Sequence, residues 1–418
     1  MFNRLKNIWR AWAARVPQLR FWARLIVLAL FGFPVGAVVG ALDFLFASLL
    51  NGAAALREEY LYWLLPFLAP AAVCITFCYR RFGAGSDRAM NTIFEVAYGK
   101  DKYLPLRTAP MMMFSSALTH LFGGSAGREG AAVQIGAAVS YWAGQKLHIK
   151  HTTRIFLVAG MAAGFSGLFG TPVAAVLYAV EVLLAGTLDY RALLPACTAS
   201  FSAVAVSRAL GLPSSDYALS FQPELSLALV CKLAALGLVF GLTGGLFAFC
   251  LRKGREWGEK AFKNPYVRAA VLGVCLTVLL FLARGRYSGL GSNLIEFSMT
   301  GGRVYPYDWV LKLFFTVLTL SAGLKGGEVT PLFSIGASLG AVLAGVFGLP
   351  VPVTAAVGYV CVFGGATNTF FAPLFVGAEL FGYELLPFFF VACVVARLFN
   401  FGQSIYPLQR KFRFKKSV

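Results

Sequence analysis

The segment Gly127-Arg128-Glu129-Gly130 places a carboxylate beside a guanidinium within a run of small and apolar residues. Near the centre of a membrane each of these charges is costly unless it is paired, protonated or hydrated. A helix that begins here would present free N–H groups and partial positive charge to an anion. Glu129 can then occupy the place of the anion and leave it when protonated, acting as gate and proton carrier. The alternative, of equal weight from spacing alone, is a structural pair in which Arg128 or the helix start holds the carboxylate.

A second glycine-rich motif, Gly327-Glu328-Val329-Thr330-Pro331, begins 200 positions after Gly127. Two further motifs recur in the same order at nearly the same offset. These are Phe169-Gly170-Thr171-Pro172 with Phe370-Phe371-Ala372-Pro373, and Gly83-Ala84-Gly85-Ser86 with Gly289-Leu290-Gly291-Ser292. The repetition predicts a first half at 25–211 and a second half at 222–405.

The elements that must position these motifs are membrane helices. Of the 418 residues, 58% are hydrophobic and only 13% are charged, whereas a soluble domain carries about 25% charged residues. This composition excludes a soluble globular protein, a disordered chain, a collagen-like fibre and a secreted disulfide scaffold. A membrane span needs about 20 apolar residues, and candidate spans lie at 25–50, 60–79, 154–185, 192–211, 225–251, 267–283, 306–323 and 374–400. The first of them is too long for the core of a signal peptide.

Shorter apolar stretches, broken by glycine, lie at 108–126, 130–144, 332–348 and 352–371. Short helices at membrane depth leave backbone groups that lipid cannot satisfy, so they occur inside protein or along a polar cavity. Repeats of such helices place a binding site near the midplane, where the two halves meet. We therefore predict an all-α, polytopic integral membrane protein with two inverted-topology repeats and broken or re-entrant helices around an anion pathway.

The formal net charge of +19 is concentrated in basic blocks at 1–24, 252–268 and 410–416. The positive-inside rule places all three blocks, and hence both termini, in the cytoplasm. The second of these blocks ends the segment 225–263. Because this end is cytoplasmic, the segment enters the membrane from outside, opposite to the first span. The second half is therefore inverted relative to the first. Basic chains also bind nucleic acid, but that interpretation explains none of the apolar chain, and no nucleic-acid partner is expected.

The eight cysteines all lie in apolar segments, and His148 and His151 lie in a basic loop. Neither set has the spacing of metal ligands, so we expect the cysteines to be buried as small hydrophobes. No metal and no cofactor are expected. The sequence also contains no Asp-rich or His-rich cluster for metal–phosphate chemistry, which argues against a membrane transferase or other enzyme.

Four features together resemble the CLC chloride channels and proton-coupled anion transporters, over nearly the whole chain. They are the motifs at 127–130 and 327–331, the pair Tyr406-Pro407 before the basic tail, and the helix entry at Phe169 and Pro172 that leads to Glu181. The resemblance implies a homodimer with one pore per subunit, a carboxylate gate at Glu129, and an anion site built from helix N-termini and the Tyr406 hydroxyl. Residues of this site are Gly127, Arg128, Gly130, Val329, Thr330 and Tyr406, and 406–418 forms a basic cytoplasmic tail with no soluble regulatory domain after it.

Three positions depart from the common family pattern. Ala131 replaces the usual proline after the first motif, and Val182 stands where many proton-coupled members carry a glutamate. Met90, in Ser86-Asp87-Arg88-Ala89-Met90-Asn91, stands at the place of the pore serine. Met90 with the Glu-Val-Thr-Pro version of the second motif resembles the bacterial fluoride/proton antiporter branch, which exports fluoride and discriminates against chloride. This resemblance implies residence in the bacterial inner membrane, with fluoride and protons as the transported ions.

The residue types suit a small anion. Methionine in place of serine at position 90 removes a hydroxyl donor suited to chloride. The Thr330 hydroxyl and the backbone N–H groups of Val329 and Thr330 supply donors near the second motif. A chloride/proton exchanger or a passive anion channel of the same fold is the alternative function.

Three further residues each have two interpretations. Phe94, four positions after Met90, either lines the fluoride path or packs in the core. Asn91 is a polar lining residue or a helix cap. Glu328 either helps proton transfer or pairs with Lys325.

Overall fold

A computed structural model describes residues 17–83, 89–100, 103–147, 152–213, 217, 219 and 226–411. Several predicted features lie outside the described residues: most of the basic segment 1–24, the residues 86–88 before Met90, His148 and His151, and the basic tail from 412 onward.

Helices make up nearly all of the regular structure in the described part of the chain. The first half contains α1 (Pro17–Glu59), α2 (Leu61–Leu64), α3 (Leu68–Phe82), α4 (Ala89–Ala97), α5 (Thr108–Leu121), α6 (Glu129–Lys146), α7 (Thr152–Phe169), α8 (Pro172–Glu181) and α9 (Tyr190–Ala209). The second half contains α10 (Leu227–Ala261), α11 (Pro265–Leu282), α12 (Ser292–Thr300), α13 (Asp308–Ser321), α14 (Val329–Phe347), α15 (Val351–Thr367), α16 (Phe371–Phe381) and α17 (Leu386–Phe399). Short 3-10 helices at Leu65–Phe67 and Tyr383–Leu385 join α2 to α3 and α16 to α17.

Within the described residues, seven helical segments are long and apolar enough to cross a membrane. They are Leu25–Glu59, Leu61–Phe82, Thr152–Phe169, Tyr190–Ala209, Leu227–Ala261, Pro265–Leu282 and Val329–Phe347. The protein is therefore an all-α, polytopic membrane protein, as the composition predicts.

Three of the predicted spans are wrong. The span 306–323 contains only α13, of 14 residues, whereas 332–348, predicted as a short broken stretch, lies in α14, which is long enough to cross a membrane. The other two wrong spans are each a pair of shorter helices. The apolar segment 154–185 breaks between α7 and α8, where Gly170 has a φ of +80° and Pro172 begins the next helix. The segment 374–400 lies across α16 and α17, which are separated at Gly382 with a φ of +114°. A left-handed glycine ends a helix and a proline suits its first turn, and apolar length alone does not reveal either break.

The helices that carry the motifs recur at a nearly constant interval. Helices α4 to α8 begin at 89, 108, 129, 152 and 172, and α12 to α16 begin at 292, 308, 329, 351 and 371. Equivalent sequence motifs thus begin equivalent helices, including the two that begin at the glycine-rich motifs.

Glycine contacts bring these helices into close packing. A Cβ atom added to Gly136 of α6 would lie 2.2 Å from the Gly160 carbonyl oxygen of α7. At the equivalent contact, a Cβ on Gly336 of α14 would lie 2.1 Å from the Gly358 carbonyl oxygen of α15. Small residues allow membrane helices to approach backbone to backbone, and this packing buries α6 and α14 at the centre.

Two carboxylates, near the ends of α8 and α16, each cap the start of the other helix. Glu181, at the end of α8, accepts backbone hydrogen bonds from Phe370, Phe371 and Ala372 at 2.5–3.3 Å, at the start of α16. Glu379 of α16 accepts the N–H groups of Val173 and Ala174 at 3.0 and 2.8 Å, at the start of α8. The end of each short helix, α8 or α16, is thereby hydrogen-bonded to the start of the other.

The cysteines are not all buried, so that prediction is wrong for part of the set. Cys361 and Cys393 are buried, whereas Cys74, Cys231 and Cys275 are exposed on the outside of the helix bundle. The outer surface of a membrane protein contacts lipid, and a small apolar side chain is as compatible with this surface as with the interior.

Candidate functional site

The two glycine-rich motifs meet at the centre of the structure. Gly127 and Gly327 exchange both of their backbone N–H···O hydrogen bonds, each at 2.6 Å. A Cβ atom on Gly127 would lie 2.8 Å from Cδ of Pro331, and one on Gly327 would lie 2.7 Å from the Gly130 nitrogen. The starts of α6 and α14 therefore face each other, and their positive dipole ends converge.

Glu129 is the first residue of α6 and is fully buried. Its Oε2 accepts a hydrogen bond from the Thr330 hydroxyl, which also accepts the Arg128 backbone N–H at 3.3 Å. The other carboxylate oxygen, Oε1, lies 3.6 Å from Arg128 Nε and has no hydrogen-bond partner among the described residues. A separation of 3.6 Å is too long for a hydrogen bond. Arg128 therefore forms an ion pair with the carboxylate without a hydrogen bond, whereas the Thr330 hydroxyl of the second motif donates a hydrogen bond to it.

A cavity of about 670 Å³ leads to this centre. Its lining includes Met90, Asn91, Tyr406 and Glu328. The structure thus brings four of the predicted site residues to one cavity. Others of the set are buried beside it rather than lining it: Phe94, Glu129, Val329 and Thr330.

Helix α4 supplies Met90, Asn91 and Phe94. Asn91 is the third residue of this helix and lines the cavity, so the interpretation of Asn91 as a helix cap is wrong. Phe94 is fully buried, and its ring centroid is 5.5 Å from that of Tyr406. Phe94 therefore packs against the predicted pore tyrosine.

Tyr406 is buried, and its hydroxyl is hydrogen-bonded to the hydroxyl of Tyr178 on α8. Tyr178 belongs to no motif, and its only signal in the sequence is that it is a polar aromatic residue within an apolar helix. Burial of two tyrosine hydroxyls requires hydrogen-bond partners, and here each hydroxyl serves the other.

The segment after Tyr406 is fixed on three sides. The Gln409 amide nitrogen donates to the carbonyl oxygens of Val182 and Thr367, both at 2.9 Å. A two-residue parallel strand pair joins β1 (Leu184–Ala185) to β2 (Arg410–Lys411). These bonds anchor the segment that carries Tyr406, which lines the cavity.

Glu328 directly precedes α14, and its side chain makes no capping hydrogen bond. It forms an ion pair with Arg255 of α10 instead, with 2.9 Å between Oε1 and Nη2. The sequence offered Lys325 as the partner, because it is near in the chain. The ammonium of Lys325 instead lies 4.6 Å from the centre of the Tyr79 ring. The Arg255 contact joins residues 73 positions apart, which local spacing does not reveal.

Lys312 of α13 is a buried charge that the motif analysis missed. Its ammonium donates to Ser125 Oγ at 2.9 Å and to the carbonyl oxygens of Gly289 and Tyr287 at 2.8 and 3.1 Å. These three bonds use all three donors of the ammonium. A lysine within the apolar segment 306–323 was the available signal. The Lys312 ammonium thus holds the Ser125 side chain in place, two residues before Gly127.

No group of His, Cys, Asp and Glu side chains in the described residues has the arrangement of a metal site. The site is instead made of helix starts, hydroxyl groups, one buried carboxylate and a cavity.

The comparisons with known proteins are consistent with this arrangement. Residues 71–400 match the family described as voltage gated chloride channel. The chain is 37% identical over 410 residues to a chloride/fluoride channel protein of Pseudomonas syringae pv. tomato, which covers 94% of this chain and 87% of that protein.

Solved structures show the same fold. The crystal structure of a CLC-type fluoride/proton antiporter superimposes with a TM-score of 0.91 and 45% identity, over 93% of this chain and 98% of the other. A slow cyanobacterial Cl⁻/H⁺ antiporter shares the fold with a TM-score of 0.78 at 19% identity, over 91% and 95% of the two chains. The resemblance found in the motifs is confirmed, and the chain belongs to the CLC family of voltage-gated chloride channels.

Proposed function

We propose that this protein is a fluoride/proton antiporter that exports fluoride from the cytoplasm and selects fluoride over chloride. The observation that carries the proposal is the Glu129 carboxylate, which is held by the Thr330 hydroxyl where two helix N-termini meet. The 45% identity to a CLC-type fluoride/proton antiporter supports it. The protein is a transporter and not an enzyme.

Glu129 acts in this proposal as gate and proton carrier. When ionised, the carboxylate is attracted by the helix N-termini and accepts the Thr330 hydrogen bond. When it takes up a proton it loses the charge that holds it, so it leaves and the Thr330 hydroxyl and the N–H groups of the helix starts become available to fluoride. Fluoride and the carboxylate thus compete for the same donors, and this competition couples one ion to the other.

Selectivity rests on which donors are present. Met90 offers no hydroxyl to the anion, and Thr330 offers one close to the second motif. A strongly hydrated small ion is stabilised only where close donors replace its water. Fluoride contacts are assigned to the starts of α6 and α14 and to Tyr406, with Asn91 and Phe94 beside the path and Glu328 as a proton helper.

The proposal includes the arrangement in the membrane. Residues 25–211 and 222–405 are assigned to two inverted repeats, which the matched helix starts support. The basic segments 1–24 and 406–418 are assigned to the cytoplasm of a bacterium, with the protein in its inner membrane. The assembly is a homodimer with one pore in each subunit, and its transported ions are fluoride and protons.

Ion flux from liposomes that contain the purified protein tests the function directly. Fluoride and chloride efflux are recorded in parallel while a proton gradient is imposed. Uphill fluoride movement with little chloride movement supports the antiporter. Equal movement of chloride would indicate a chloride/proton exchanger, and downhill fluoride movement without proton flux would indicate a passive channel.

A further inference from the structure

The wall of the cavity that leads to Met90 and Tyr406 is strongly basic. Among the described residues, five basic side chains line it against two acidic ones, Glu259 and Glu328. The five are Arg80, Arg255, Lys263, Arg268 and Lys325. Because two carboxylates cannot neutralise five cations, the cavity carries an excess of positive charge that attracts anions.

Two polar groups in this wall have unused hydrogen-bonding capacity. Ser321 is only 4% exposed, and its hydroxyl has no hydrogen-bond partner among the described residues. The Nε atom of Arg268 is likewise buried and unpartnered within the described part of the chain. Buried polar groups are normally satisfied by protein or by ordered water, so both donors are available to a ligand or to water in this cavity.

The two donors lie on the same part of the wall. A Cβ atom added to Gly258 of α10 would lie 3.3 Å from Arg268 Cδ, and one added to Gly254, about one turn earlier on the same helix, would lie 2.8 Å from Ser321 Oγ. At its other end, the Arg268 guanidinium lies 3.8 Å from Glu259, whose side chain is 71% exposed. This contact involves Nη1 and leaves the Arg268 Nε–H without a partner among the described residues.

We propose that Arg268 and Ser321 form a binding site for a tetrahedral oxyanion such as inorganic phosphate. A guanidinium and a hydroxyl match an anion that presents several oxygens, whereas a single fluoride ion cannot accept from several separated donors in so wide a space. A bound oxyanion occupies the same cavity that Met90 and Tyr406 line, and it therefore inhibits fluoride entry. This regulation rests on the proposed function, but the binding itself does not.

Calorimetric titration of inorganic phosphate into the detergent-purified full chain tests the binding. Arg268→Gln is expected to weaken phosphate binding by about tenfold or more, because it removes a charge-assisted hydrogen bond. Ser321→Ala is expected to weaken it by a few fold. Arg191→Gln is the matched control, since Arg191 is exposed at the start of α9 and does not line the cavity.

Absence of phosphate binding to the wild type would overturn the proposal, as would equal losses in Arg268→Gln and Arg191→Gln. A parallel titration with a short-chain phosphatidic acid separates two sources of the same chemistry. Much tighter binding of this lipid, lost in Arg268→Gln, would assign the site to a lipid headgroup and overturn the assignment to a free anion.

Fluoride efflux from liposomes then tests the inhibition, with phosphate replaced by gluconate at constant ionic strength and pH. Each variant is compared with its own phosphate-free rate. We expect phosphate to slow the wild type and Arg191→Gln, and to slow Arg268→Gln only at about tenfold higher concentration. Equal inhibition of all three would overturn the regulatory role, whereas a wild type that moves no fluoride would overturn the proposed function and leave the calorimetric result standing.

Discussion

The hydroxyl of Thr330 donates a hydrogen bond to the carboxylate of Glu129, across 201 positions of sequence. Each residue belongs to a different glycine-rich motif, and the paired backbone of Gly127 and Gly327 holds those motifs together. The carboxylate therefore depends on the second motif for its hydrogen bond, and any event that releases it frees a donor in that motif.

Thr330→Val tests the value of that donor, because it removes the hydroxyl and keeps the branched shape. We expect fluoride export to fall by about tenfold or more, since a hydrogen bond to a charged group contributes ~1.5–3 kcal/mol. Initial rates of fluoride efflux measure the effect. Thr300→Val on the exposed side of α12 is the control and should retain the wild-type rate.

Glu129→Gln tests the proton carrier. The amide cannot exchange a proton, so fluoride movement should no longer respond to an imposed proton gradient and should lose its dependence on pH. A fluoride electrode and a pH-sensitive dye record the two fluxes together. Glu296→Gln, at an exposed carboxylate of α12, should keep the coupling. Normal proton-driven fluoride export by Glu129→Gln would contradict the assigned role.

Met90→Ser tests selectivity by returning a hydroxyl to the wall of the cavity. We expect the ratio of fluoride to chloride efflux to fall by about tenfold, the size of one added hydrogen bond to a charged group. Met90→Leu is the control at the same position, because it adds no donor. An unchanged ratio in Met90→Ser would show that selectivity is determined elsewhere.

Gly127→Ala tests the close approach of the two motifs. The new Cβ would lie 2.8 Å from Pro331 Cδ and 2.9 Å from Thr330 Oγ1, and such overpacking costs about 1–3 kcal/mol. Thermal unfolding in detergent should occur at a lower temperature, with loss of fluoride export. At Gly52 an added Cβ meets no atom within 4 Å, so Gly52→Ala should leave the melting temperature unchanged or slightly higher.

Much of the architecture follows from the sequence, because apolar length and recurring glycine motifs are local signals. The starts of α6 and α14 lie at the two motifs, as predicted. The hydropathy pattern misses the breaks at Gly170 and Gly382, because both interrupt apolar runs and hydropathy does not register backbone conformation. The motif at Phe169 and Pro172 does mark a helix entry at the first of them.

The candidate site was predictable only in part. Glu129, Thr330 and Tyr406 belong to recognisable motifs, whereas Tyr178 and the Arg255 partner of Glu328 do not. Both of these contacts join residues far apart in the chain, and sequence spacing carries no information about which distant side chains will pack together.

The exchange of caps between Glu181 and Glu379 has a consequence for where an anion can travel. A helix start in a low-dielectric interior attracts any mobile negative charge, and α8 and α16 would each offer such a resting place. The carboxylates of Glu379 and Glu181 already occupy the starts of α8 and α16, so an entering anion cannot bind at either helix start. These attached carboxylates thus keep the starts of α8 and α16 from competing with the starts of α6 and α14 for a mobile anion.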